Sequence, residues 1–339
     1  MIYGAGAIGG AIGGRLFEHG QQVMLVARGA QYAAIRDHGL ELVSPGDSSR
    51  LAIPVVDQIG AAKPRADDVV ILTMKSQDTA AALTDLAAVG DPEVAVVCGQ
   101  NGVDNERQAS RRFRRVYGMC VMLPATYLEP GVVDVAWEPT TGILDLGRYP
   151  VGTDSTAEQI AADLESSTFR SRAEPSIMRR KYAKLLLNLG NALDAACGPA
   201  GRASELYQWA KAEGVMCYQA AGIDFASDEE DQARRGDLRG RGPAGPGAAR
   251  AARAARAARA ARAAQARSTS GGSSSWQSLA RGTGTIEADY LNGEIVLLGR
   301  LHGVATPVNE LLQRVANRMA RQRVAPGSYT IEDLLAELG

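Results

Sequence analysis

Gly4-Ala5-Gly6-Ala7-Ile8-Gly9 near the start of the chain is a GxGxxG. Alone the pattern is weak. Its surroundings make it informative, because a helix-like run follows it and a strand-like run begins at residue 22. The first glycine permits a tight turn, the second lets backbone approach a pyrophosphate, and the third lets the helix close on the sheet. N–H groups at the helix start, around Ala7, Ile8 and Gly9, would face the phosphates. Gly4, Gly6, Ala7, Ile8 and Gly9 are therefore candidate dinucleotide ligands. Only Met1, Ile2 and Tyr3 precede Gly4. A central strand usually runs to about 5–6 residues, so either this one is short or the recorded start lies downstream of the true one.

Outward from this turn the first half alternates strand-like and helix-like runs. Residues 22–27 (QVMLVA), 68–74, 93–98 and 116–122 are near-continuously apolar, as parallel strands buried on both faces are. Helix-like segments at 11–19 and 78–88 lie between them. The rhythm predicts a doubly wound, mostly parallel sheet. Residues 40–55 read as a hairpin around Pro45-Gly46-Asp47, and 132–136 and 142–146 as strands extending the sheet. The second strand run ends Val26-Ala27-Arg28, without the carboxylate that binds a ribose 2′-hydroxyl. A guanidinium there pairs with a 2′-phosphate, so Arg28 points to NADP(H) as the cofactor.

Beyond residue 174 the strand signal ends. Residues 177–196 have helical periodicity and stop at Gly198-Pro199; 285–301 reads as a helix; Thr306-Pro307 reads as N-cap and first helical residue. Thr330 and Asp333 have the spacing of a capping box. The division expected is a nucleotide-binding α/β domain over 1–173 and an all-α domain over 174–339. Residues 242–272 interrupt the second half with five AAR repeats, six Arg and no acid. A three-residue period makes no stripe on a helix, so the segment reads as a low-complexity insertion in a loop.

The 339 residues carry 37 Lys+Arg against 38 Asp+Glu, a balance that argues against nucleic acid as partner. No apolar run reaches the roughly 18 residues that span a bilayer. The cysteines form no CxxC pair, and only three histidines occur. A metal site is not expected, and a cytoplasmic setting is.

In the helical half, Lys184, Asn188 and Asn191 fall within about 60° of one another on an otherwise apolar helix. Polar groups on a buried face need partners. A second polar set comprises Ser275 and the run Glu287 to Asn292; Glu287, Tyr290 and Asn292 cannot share one helical face, so at least one is structural.

Taken together the motifs resemble the ketopantoate reductase family. The matching points are GAGAIGG, Arg28, Lys75 in LTMKSQ, Gln100-Asn101-Gly102, KLLLN at 184–188, and Ser275 followed twelve residues later by Glu287 in EADYLNG. The resemblance implies a Rossmann domain and a helical domain, with NADPH-dependent reduction of a 2-oxo acid. Ketopantoate, on the route to pantothenate and coenzyme A, is the substrate implied. It makes Lys184 the general acid and Glu287 an assisting carboxylate. Asn101, Asn188, Asn191 and Ser275 become substrate contacts, and Lys75 and Asn101 cofactor contacts. Two asparagines of the best-known members fall here on Ala192, beside Asn191, and on Arg202, which leaves a different 2-oxo acid open. A non-catalytic NADP-binding sensor is the other alternative. The expected partner is a small-molecule 2-oxo acid, with neither membrane nor nucleic acid, and a homodimer is among the states allowed.

Overall fold

The computed structural model describes residues 1–236 and 272–338; the Ala/Arg-rich segment up to residue 271 lies outside them. Contacts divide the chain into two compact units. The first comprises Met1–Gln100, Asn105–Met178 and, among the described residues, 232–236; the second comprises Asn101–Asp104, Arg179–Asp231 and 272–338. A single cut near residue 173 omits the short stretch Asn101–Asp104, which belongs with the helices of the second unit.

Among the described residues the first unit holds twelve strands: β1 (Ile2–Tyr3), β2 (Leu25–Val26), β3 (Leu40–Val43), β4 (Ser48–Leu51), β5 (Val55–Val56), β6 (Val69–Leu72), β7 (Ala95–Cys98), β8 (Val116–Met122), β9 (Ala125–Thr126), β10 (Val132–Val135), β11 (Gly142–Arg148) and β12 (Phe169–Arg170). Eight form one sheet in the order β12-β11-β8-β7-β6-β1-β2-β5. From β5 to β8 every pairing is parallel; β11 runs antiparallel to β8. Period-2 alternation explains the continuous apolar runs. Val70, Leu72, Val96 and Cys98 face one core, while Ile71, Ala95 and Val97 face the other. β1 pairs through only two residues, yet it lies inside the sheet between β2 and β6.

Two expectations are corrected. The stretch 132–136 does not extend the main sheet; β10 joins a second sheet, β4-β3-β10-β9, whose β3 and β4 form the hairpin closed at Ser44 and Asp47. The helix Ala7–Glu18 packs against both sheets, which accounts for its glycines. A Cβ at Gly10 would lie 2.7 Å from Val133, and one at Gly13 2.7 Å from Leu25. Close approach of helix to strand offsets the poor helix propensity of glycine, about 1 kcal/mol each relative to alanine.

Among its described residues the second unit holds helices joined by turns and loops, and no strand. Helices Ile177–Asn188, Gly190–Cys197, Glu205–Ala220, Asn292–His302 and Pro307–Gln322 bury Leu185, Leu189, Leu193, Ile295, Leu311 and Val315. The second correction lies here. Residues 285–301 are not one helix but a 3-10 turn, Glu287–Tyr290, then the helix Asn292–His302, with a break at Leu291 (φ −112°, ψ −87°). Asn292 supplies the reason, donating to the Leu189 carbonyl and to Asn309 Oδ1 at 3.2 and 3.0 Å. The last helix, Ile331–Leu338, starts with the reciprocal bonds of a capping box: Thr330 N to Asp333 Oδ2, and Asp333 N to Thr330 Oγ1.

Candidate active site

The glycine turn of the first unit is built for a close-approaching ligand at one point only. Gly4 has φ +109°, and a Cβ there would lie 2.6 Å from Met74 N. A Cβ at Gly9 would lie 2.2 Å from the Gly4 carbonyl, so that position is closed by packing. At Gly6 an added Cβ would meet nothing within 4 Å. Gly6 is also the N-cap of Ala7–Glu18, and the N–H groups of Ala7, Ile8 and Gly9 have no acceptor among the described residues. Free helix N–H groups beside open space fit a phosphate. Arg28 follows β2 as the exposed N-cap of Gly29–His38. Lys75 is half-buried beyond the end of β6, ahead of the turn Ser76–Asp78.

Two residues that hold this turn carry no sequence signal. Buried Gln31 donates to the Ala5 carbonyl at 2.6 Å and accepts from Gly131 N at 2.7 Å. Thr73 Oγ1 donates to the Gly4 carbonyl at 2.8 Å. A lone Gln in a polar helix looks solvated, and only the fold brings Gly131 to it. Gln31→Ala is expected to cost about 1–3 kcal/mol, the penalty of buried partners left unpaired. Urea unfolding measures it, and an unchanged midpoint would mean water replaces the bridge.

In the second unit, Lys184 Nζ donates to Asn101 Oδ1 at 2.5 Å. Asn101 lies 83 positions away in sequence, and the short stretch that carries it is anchored at Gly102. There φ is +79°, and a Cβ would lie 3.0 Å from the Tyr290 carbonyl. Tyr290 ends the 3-10 turn that begins with Glu287, which is 5% exposed. The fold thus gathers Lys184, Asn101 and the Glu287 turn from three distant parts of the sequence. Asn188 lies one helical turn beyond Lys184 and is 8% exposed; its Nδ2 is buried with no hydrogen-bond partner. An unsatisfied buried donor is costly unless something else bonds it. Ser275 is buried at the start of the helix Ser274–Ala280. Asn191 stands apart from the rest: its Oδ1 is taken by Arg202, whose Nη1 also donates to the Leu187 carbonyl at 3.3 Å.

Known proteins resemble this chain over both of its halves. The N-terminal family model, ketopantoate reductase PanE/ApbA, matches residues 1–150, and the C-terminal model matches 176–320. The chain belongs to the ketopantoate reductase family. It is similar to the 2-dehydropantoate 2-reductase of Pyrococcus horikoshii, 27% identical over 96% of this chain and 98% of that one. The corresponding protein of Archaeoglobus fulgidus is 29% identical over 92% and 94%. Among solved structures, a PanE/ApbA family ketopantoate reductase from Ralstonia eutropha aligns with TM-score 0.73 at 24% identity, over 95% of this chain and 99% of that one. A D-mandelate dehydrogenase with NADH and anilino(oxo)acetate aligns with TM-score 0.73 at 21% identity and the same coverage. At such identities the two structures share the fold of this chain. Like its family, the chain is an oxidoreductase, and among its described residues no helix is long and apolar enough to cross a membrane.

Proposed function

We propose that this member of the ketopantoate reductase family reduces a 2-oxo acid with NADPH, and that ketopantoate is its substrate. The observation that carries the reading is Lys184 held by Asn101 beside the unpartnered Nδ2 of Asn188. The relatives named 2-dehydropantoate 2-reductase support the substrate. Consumption of NADPH on adding ketopantoate tests it directly, and no consumption with ketopantoate or any other 2-oxo acid would overturn it.

In this reading Gly4, Gly6, Ala7, Ile8 and Gly9 hold the pyrophosphate, Arg28 pairs with the 2′-phosphate, and Lys75 and Asn101 complete the cofactor contacts. The nicotinamide, when bound, supplies the hydride. As the carbonyl carbon accepts it, the C=O electron pair moves onto oxygen. The Lys184 ammonium donates its proton to that oxygen and then recovers one from solvent. Asn101 aims the ammonium. Glu287 holds the lysine or a substrate hydroxyl, while Asn188 and Ser275 bond substrate oxygens.

Arg28 gives a test of the cofactor. Arg28→Ala should weaken NADPH by roughly tenfold, the worth of one charge-assisted pair, and leave NADH nearly unchanged. Equal losses in a titration with both nucleotides would remove Arg28 from the 2′-phosphate.

A second reading, a different 2-oxo acid, is favoured by Asn191. Its Oδ1 is engaged by Arg202, and Ala192 beside it offers no polar group. Relative kcat/KM over a set of 2-oxo acids separates the two readings.

A further inference from the structure

Among the cations of the second unit that the mechanism leaves unused, one lies beside the Lys184 helix. Arg202 ends the short helix Pro199–Arg202, and its guanidinium lies against the last turn of the Lys184 helix. Nη2 donates to Asn191 Oδ1 and Nη1 to the Leu187 carbonyl. A Cβ on Gly190 would come within 3.3 Å of Nη1, so the group is packed against that helix. Arginine has five N–H donors, and these two bonds leave the others to a ligand. No carboxylate of the described residues pairs with the half-buried guanidinium. The nearest acid along the chain, Glu205, is exposed, and Asp194 accepts from Ser273 N at 2.7 Å. Half-buried charges are ordinarily paired.

We infer that Arg202 binds the carboxylate of the substrate and is a specificity-determining residue of this enzyme. The inference rests on the reading that the chain reduces a 2-oxo acid. Leu189, between the two helical segments, keeps α geometry (φ −58°, ψ −29°), so the helix runs on from Lys184 to Asn191. At about 1.5 Å per residue the two positions are roughly 10 Å apart along the axis. Asn188 stands between them with a free donor. The groups of the row without a protein acceptor are donors, the Asn188 amide N–H and the remaining guanidinium N–H groups, and they stand beside the Lys184 ammonium. A carbonyl oxygen next to a carboxylate satisfies all three, whereas a neutral 2-oxo amide brings a donor of its own to the guanidinium. The planar fork of arginine matches carboxylate geometry in a way lysine does not.

The test uses the full chain with NADPH and, in parallel, NADH. The substrates are ketopantoate, phenylglyoxylate and neutral phenylglyoxylamide. Arg202→Gln should raise KM for whichever acid is turned over by roughly 10–100-fold, with kcat changed less than about threefold, and should leave the amide rate as it was. Arg202→Lys should recover part of the loss, and it keeps the test readable where Arg202→Gln unfolds. Acid and amide rates falling together, or an unchanged KM for the acids, would overturn the role of Arg202 alone. A wild-type chain that reduces neither acid with either nucleotide would overturn the proposed function itself, and this inference with it.

Discussion

Lys184→Ala is expected to lower kcat by roughly 10²–10⁴, the usual contribution of a positioned general acid, while NADPH affinity stays within about twofold. The ammonium is one hydrogen bond from Asn101 and one helical turn from Asn188, so its removal takes away both the proton and the charge facing the developing alkoxide. The lesion should be uniform across 2-oxo acids, because every one of them passes through the same alkoxide. Lys181, three residues earlier, would serve as a control if it were solvated. It is 3% exposed, however, and its replacement would disturb folding as well as catalysis. The control is therefore a stability measurement on Lys184→Ala itself. Near-normal turnover in a folded Lys184→Ala protein would displace the site from this helix.

Much of the fold was legible because its signals are local. The glycine turn, the apolar runs of the parallel strands and the capping box at Thr330 each depend on residues a few positions apart. What escaped depends on partners. An apolar alternation predicts a strand at 132–136 without saying which sheet takes it, and β3 decides that through Glu41, Leu42 and Val43. Residues 285–301 have helical composition, but the bonds of Asn292 to Leu189 and Asn309 break the helix at Leu291, and those partners lie 103 and 17 positions away. The polar face of Lys184, Asn188 and Asn191 was readable from helical spacing alone. That Asn191 would be claimed by Arg202 was not, since a turn at Gly198-Pro199 returns the chain to it. Gln31 and Thr73, which brace the glycine turn, likewise have no motif, because their acceptors are backbone atoms supplied by other elements.

The largest expected loss of stability also comes from a long-range pair. Asp145, on β11, is 2% exposed and receives both Nε and Nη2 of Arg234 at 2.7 Å, a two-pronged bond between residues 89 apart. The Asp145 hydrogen bond, outweighing burial, pushes the Arg234 guanidinium above its ordinary range, so the arginine stays charged at any working pH. Replacing such a pair by apolar residues is often neutral, but removing one partner leaves a desolvated charge. Asp145→Ala should therefore cost about 3–5 kcal/mol in urea unfolding. Adding Arg234→Leu to it should restore much of that loss rather than add to it, which a double-mutant cycle measures. Because the side chains are only 2% and 12% exposed, the loss should change little between low and high salt, unlike that of a surface pair. A cost below about 1 kcal/mol, or a double variant less stable than Asp145→Ala alone, would mean that Arg234 reaches water once its partner is gone, and that the end of the helix Asp228–Arg235 is not fixed by this bond.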